Sequence, residues 1–270
     1  MDVRQLIPST VLALMINTDL NDEQLNRYSR HILLPEIDLD GQARILAARI
    51  AIVGAGGLGT PAATYLNASG IGQLTIIDDD AVDLGNLQRQ IAYTSADIQK
   101  PKVQALKLHL QAQNSEPQID AKQERATPDI LLSLAEQHDL VIDATDNFET
   151  RFHINRACVD AKIPLVSGSA TQFDGQVLSI RPGQACYNCI YEEQATEEEQ
   201  NCSNLGVLSP LTGIIGSIQA AEALKIITGA GKPLYDRLLK VDSLSMEFKI
   251  SRVRRDPNCP TCSPAQKNNA

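Results

Sequence analysis

Arg49-Ile50-Ala51-Ile52-Val53-Gly54-Ala55-Gly56-Gly57-Leu58-Gly59 decides the fold. Its first five residues, mostly branched aliphatics, read as a buried strand. Gly54, Gly56 and Gly59 follow at G-x-G-x-x-G spacing, and a helix is expected from there to about Ser69, ended by Gly70. A strand, a glycine loop and a helix make a phosphate-binding arrangement. Backbone N–H groups can approach an anion closely, and the helix N-terminus adds positive potential. The next strand, 74–77, closes on Asp78, whose carboxylate can accept hydrogen bonds from ribose hydroxyls. Taken alone, the loop fits a nicotinamide dinucleotide best; a tight turn without ligand is the alternative.

The alternation continues outward. Helices are expected over 21–34, 41–48, 102–112, 128–137 (with Thr127 as cap) and 148–161, and strands over 118–121, 140–144 and 165–167. This order implies an α/β fold, a Rossmann-like, doubly wound, mainly parallel sheet. After Asp174 the pattern changes. Stretches 176–180 and 244–250 alternate apolar and polar residues, predicting a C-terminal antiparallel portion. A long helix over 210–228 separates them, ended by Gly229 and Gly231. Residues 191–204 carry Glu192, Glu193 and Glu197 to Glu199 and are expected to form a loop. The expected organisation is an N-terminal extension over 1–20, one domain over 21–265 and a frayed tail over 266–270.

Composition narrows the function. The chain has 270 residues, 43% hydrophobic, with no tryptophan and 4% aromatics, so its core must come from aliphatic residues. A net charge of −9 does not suit a nucleic-acid partner, which needs cations. No apolar run reaches the roughly 18–20 residues of a membrane span. A cytoplasmic protein with no membrane or nucleic-acid partner is expected. Six cysteines are too few for a disulfide scaffold. Four of them form the pairs Cys186/Cys189 and Cys259/Cys262, a strong signal for a closed four-cysteine zinc site of structural type. Cys158 reads as core, and His31, His109, His138 and His153 as structural.

Further residues do not belong to a nicotinamide site. Asn86-Leu87-Gln88-Arg89-Gln90 follows the Asp78 strand, Lys102 opens the next helix, and Asp146 and Asn147 follow strand 140–144. All lie at carboxyl ends of strands, where open α/β sheets bind ligands. Two fixed cations and a carboxylate suit the phosphates of ATP with Mg2+. Each residue also has a plainer reading. Lys102 fits a solvated first-turn lysine, Arg89 a partner of Asp83, and Asp146 the cap of the helix at Phe148.

The glycine loop, Asn86 to Gln90, Asp143-Ala144-Thr145-Asp146-Asn147 and the paired cysteines together resemble the MoeB/ThiF/HesA family, which is related to the activating enzymes for ubiquitin. Arg27-Tyr28-Ser29-Arg30-His31-Ile32-Leu33-Leu34 is similar to that family's N-terminal motif, and Gly85 departs from a frequent serine. The resemblance implies a homodimer that adenylylates the C-terminal Gly-Gly carboxylate of a ubiquitin-like sulfur-carrier protein. The carrier would be the molybdopterin-synthase small subunit or, alternatively, the thiamine-pathway carrier. By match, Arg30 would reach the partner subunit's ATP site, Arg89 and Lys102 would hold the phosphates, and Asp146 the magnesium. Gly57 and Asp78 would line the nucleoside side, and Asn86 would orient the nucleotide. Cys202 is matched to a cysteine that in some members exchanges thioester or disulfide with the carrier; an ordinary loop cysteine is the other reading. With no rhodanese-like extension after Cys262, a separate sulfur donor is expected. An NAD(P)-dependent oxidoreductase and a non-catalytic carrier-binding scaffold are the competing classes.

Overall fold

A computed structural model describes residues 20–193 and 206–263. One eight-stranded sheet runs through them in the order β3-β2-β1-β4-β5-β6-β7-β8. Strands β1 (Arg49–Val53), β2 (Gln73–Ile77), β3 (Gln118–Lys122), β4 (Leu140–Asp143) and β5 (Leu165–Thr171) pair in parallel. β6 (Asp174–Ile180), β7 (Arg237–Asp242) and β8 (Glu247–Arg252) continue antiparallel. The parallel order 3-2-1-4-5 reverses direction between β1 and β4. A crevice opens there, past the carboxyl ends of the strands.

The helices are α1 (Asp22–Arg27), α2 (Ser29–Ile32), α3 (Asp38–Ala47), α4 (Gly59–Ala68), α5 (Lys102–Gln113), α6 (Pro128–Gln137), α7 (Phe148–Ala161) and α8 (Ser209–Thr228). Two large hydrophobic cores form, one on each sheet face, and a small third cluster gathers Leu20, Tyr28, Ile32 and Leu39. Ile45, Ile50, Ile52, Leu66, Leu106 and Ile215 belong to the first; Val53, Leu134, Val141, Phe152 and Leu178 belong to the second. Alternate residues of β1 feed opposite cores, so both faces of the strand are dry. That is why it reads as an unbroken apolar run.

Several expectations change. The helix foreseen over 21–34 breaks at Tyr28 (φ −97°, ψ 10°). The Tyr28 ring packs where a side chain on Gly70 would stand, and its hydroxyl donates to Glu116 Oε2 at 2.5 Å. A tertiary anchor thus overrides a continuous helical pattern. β7 was not foreseen. The C-terminal strand starts at Glu247 rather than 244, because Asp242 Oδ1 accepts from Leu244 N and Ser245 N and turns the chain there. Thr127 occupies the N-cap position of α6 without a side-chain bond. One helix, contrary to the expectation of no apolar run of that length, is long and apolar enough for a membrane span. By length and composition α8 could cross a membrane, yet half of it is buried inside this protein. It packs along α4, β5 and β6 and carries the buried polar residues Gln219 and Glu222. The expected extension 1–20, apart from Leu20, and the tail 266–270 lie outside the described residues, as does Cys202.

Candidate active site

The glycine loop leaves β1 through Gly54 at φ +100°, where a Cβ would also stand 2.7 Å from Ala144 O. The turn after β1 therefore touches the turn after β4, and only glycine fits between them. At Gly59 a Cβ would sit 1.9 Å from Gly54 O, so this glycine closes the loop on itself. Gly56 and Gly57 differ. They are half-buried, and among the described residues their N–H groups donate no hydrogen bond. Free backbone donors beside the first turn of α4 form an anion cradle.

Residues that sequence reasoning missed hold this loop. Tyr93 Oη donates to Ala55 O at 2.7 Å and Thr212 of α8 packs on Gly57, while Ser209 Oγ donates to Gln88 O in the neighbouring 86–90 segment. None belongs to a periodic pattern or a glycine motif, so no local signal marks them. Asp78 Oδ2 accepts from Ala55 N (2.7 Å) and Oδ1 from Asp80 N (2.9 Å), which fixes the carboxylate against the loop. Burial pushes the Asp78 carboxyl above its usual range, and the nearby Lys102 charge partly offsets this.

Lys102 is not a solvated lysine. Its side chain is 8% exposed, and Nζ pairs with Asp80 Oδ2 at 2.6 Å. Its backbone N–H also binds Asp80 O at 3.0 Å. Arg89 Nη1 donates to Gly85 O at 3.1 Å, while Asp83 Oδ1 accepts from Gly85 N. Arg89 forms no ion pair with Asp83 or any other described residue. Asn86 Oδ1 accepts from Asp83 N at 3.3 Å. Asp146 is exposed and does not cap α7, since Asn147 does so through Thr150 N at 2.9 Å. Asn147 thus has a structural duty, and Asp146 stands free at the crevice mouth.

Among the described residues no hydrogen bond or ion pair joins Arg30 to this site. Neighbouring Tyr28 is bound to Gly70, Asn114 and Glu116, on connections that enter β2 and β3 at the opposite edge of the sheet.

The paired cysteines converge. Cys186 Sγ and Cys259 Sγ lie 3.6 Å apart, Cys189 Sγ and Cys262 Sγ 3.5 Å, and all four lie within 4.8 Å of one another. None is in a disulfide. A tetrahedral sulfur shell with metal–sulfur bonds of about 2.3 Å has edges of about 3.8 Å, so the donor set fits a thiophilic cation. Cys189 Sγ also accepts from Cys186 N and Asp256 N, bonds that suit a thiolate. Burial, with Cys262 beside it, raises the Cys189 thiol to about 11. Cys158 is core, 1% exposed.

Residues 28–261 match the ThiF family model. The chain belongs to the ThiF family. Over 245 residues it is 42% identical to the sulfur carrier protein ThiS adenylyltransferase of Escherichia coli, covering 90% of this chain and 97% of that protein. It is 39% identical to the molybdopterin-synthase adenylyltransferase of the same organism over 246 residues, 90% and 98% of the two chains. Among solved structures, Escherichia coli MccB with ATP superposes with a TM-score of 0.80 over 92% of this chain and 75% of that one. At 24% identity that likeness speaks for the fold alone. In this ThiF-family chain, then, the glycine cradle, the Lys102–Asp80 pair and the Asp146 turn share the carboxyl edge of one sheet.

Proposed function

We propose that this protein is an adenylyltransferase that uses ATP to activate the C-terminal carboxylate of a ubiquitin-like sulfur-carrier protein ending in Gly-Gly. The carrying observation is the pair of unengaged backbone donors at Gly56 and Gly57, with the buried cation Lys102 tied to the same loop through Asp80 and Asp78. A buried lysine in the first turn of α5 stands at the positive end of that helix and favours an anion. Membership in the ThiF family and the names of its two Escherichia coli relatives support the reading.

The carrier carboxylate is the nucleophile at the α-phosphorus of ATP, and pyrophosphate leaves. A carboxylate is already ionised at neutral pH, so no base is required. Catalysis is positioning and charge stabilisation. The N–H groups of Gly56 and Gly57 bind phosphate oxygens, Arg89 and Lys102 take charge from the leaving pyrophosphate, and Asp78 and Asn86 fix the nucleoside side. Asp146 would hold magnesium, which supplies further charge neutralisation when bound. Arg30, remote from its own chain's cradle, acts in a second copy, which makes the active form a homodimer. The four-cysteine set would hold zinc as a structural ion with no open position for substrate. Cys202 and a separate sulfur donor belong to the later thiocarboxylate step.

ATP–pyrophosphate exchange tests this. Exchange should appear only with a Gly-Gly carrier, and running the molybdopterin-type and thiamine-type carriers side by side assigns the pathway. Arg89→Ala should abolish exchange with the fold intact. NADH binding, or carrier-independent behaviour throughout, would overturn the proposal.

A further inference from the structure

The turn that presents Asp146 is held by groups outside the cradle. Asp143, 1% exposed, accepts Thr145 N at 3.0 Å, Thr145 Oγ1 at 2.6 Å and Ser167 Oγ at 2.6 Å. From the other side Arg151 Nη2 donates to Thr145 O at 2.6 Å. The Arg151 guanidinium lies 5.7 Å over the Phe148 ring and beside the Tyr187 phenol. Tyr187 sits between Cys186 and Cys189 and meets Phe152 edge-on at 5.3 Å.

Arg151 is 5% exposed and only four residues into α7. A buried cation near a helix N-terminus faces the unfavourable end of the dipole, and its burial is costly unless its donors are satisfied. A Leu or Met of similar reach would fill the space between Phe148 and Tyr187 more cheaply. What the guanidinium adds is a directed bond to the carbonyl immediately before Asp146.

We propose that Arg151 is a positioning residue for Asp146. It ties the turn to the cysteine-bearing Tyr187 segment and so fixes the carboxylate at the place where magnesium would bind. This rests on the role proposed for Asp146 above.

The test is calorimetric binding of ATP to the full chain, with and without Mg2+, for wild type, Arg151→Met and Arg151→Lys, with pyrophosphate exchange alongside. Expected is a loss of about tenfold in the Mg2+-dependent gain in ATP affinity for Arg151→Met, with Mg2+-free ATP binding unchanged. Lysine, which can still reach one acceptor, should restore part of the gain. An equal loss with and without Mg2+ would reduce Arg151 to a general structural role and overturn the inference, as would an unchanged Mg2+ gain. Wild type that binds no ATP would instead overturn the function proposed above. Should Arg151→Met not fold, Ser167→Ala, which loosens the same turn through Asp143, is expected to show the same selective loss, and an unchanged Mg2+ gain there would count against the clamp.

Discussion

At the residue scale, the four loop glycines have separable duties. Gly59→Ala drives a Cβ into Gly54 O, a backbone contact that cannot yield, and should cost about 2–4 kcal/mol of stability. At Gly56 the nearest obstacle to a Cβ is the flexible end of Gln90, 3.6 Å away. Gly56→Ala should therefore unfold within about 0.5 kcal/mol of wild type but bind ATP about tenfold more weakly, because the methyl group occupies the cradle. Denaturant titration and calorimetry on the two variants check the contrast; equal stabilities would contradict it. Asp80 offers a second residue-level prediction. It pairs with Lys102 in the free protein, and in the proposed ATP complex phosphate would replace it. Their pair is half open to water, with Asp80 65% exposed, so its worth is small. Asp80→Asn should lower the KM for ATP about threefold; a raised KM would mean that Asp80 orients the lysine rather than competing for it. This pairing was invisible in sequence. Asp80 is one of three consecutive aspartates, and only the turn after β2 selects which of them meets Lys102.

At the scale of elements, α6 is fastened to β2 by His138. Its Nδ1–H donates to Leu134 O and its Nε2 lies against Thr75 Oγ1, both at 2.7 Å, and in the neutral imidazole that hydroxyl is the donor. Burial lowers its pKa below the ordinary value. The unfolded chain then binds the proton more readily than the folded one, so stability rises with pH. This contribution is complete above about pH 6.5 and is lost as pH falls below it. The thermal midpoint of wild type should drop more between pH 8 and pH 5.5 than that of His138→Gln; equal drops would remove His138 from the balance. Helices α5 to α8 and strands β1 to β5 were legible for different reasons: α6 shows an apolar face at helical period, α8 is a long apolar stretch closed by Gly229, and β1 and β4 are short unbroken apolar runs buried on both faces. β7 was not, since Lys240 interrupts its short apolar run and charged Arg237 and Asp242 bound it. The break at Tyr28 was equally hidden, because its cause lies in Gly70, Asn114 and Glu116, far along the sequence.

At the scale of the molecule, the glycine loop and two C-x-x-C pairs were readable because each carries its spacing within a few residues. The clamp around the Asp146 turn was not, since Asp143, Ser167, Arg151 and Gln219 come from four elements and meet only after folding. The same holds for the way the four-cysteine site is joined to the second core. Asn155 of α7 accepts from Tyr187 N at 3.0 Å and donates to Asn188 Oδ1 at 2.8 Å, while Thr261 Oγ1 donates to the same oxygen at 2.8 Å. Cys186, Tyr187 and Cys259 are members of that core. A cation bridging the four sulfurs would therefore close one face of the sheet as well as join two loops. Structural zinc in small fingers binds with an apparent ~10–16 kcal/mol; in a large core only part of this appears as stability. Purified protein should contain about one zinc per chain. Chelation should cost about 3 kcal/mol and lower the thermal midpoint by about 6–12 °C. The first proteolytic cuts should fall within 253–263, while the first core and its glycine cradle keep Mg2+-free ATP binding. Because Tyr187 also touches Arg151, the Mg2+-dependent part of ATP affinity should decline with zinc loss, in step with the Arg151→Met variant. Protein free of thiophilic metal and indifferent to chelators would refute the site, and zinc loss that leaves the Mg2+ gain whole would uncouple the two corners of the molecule.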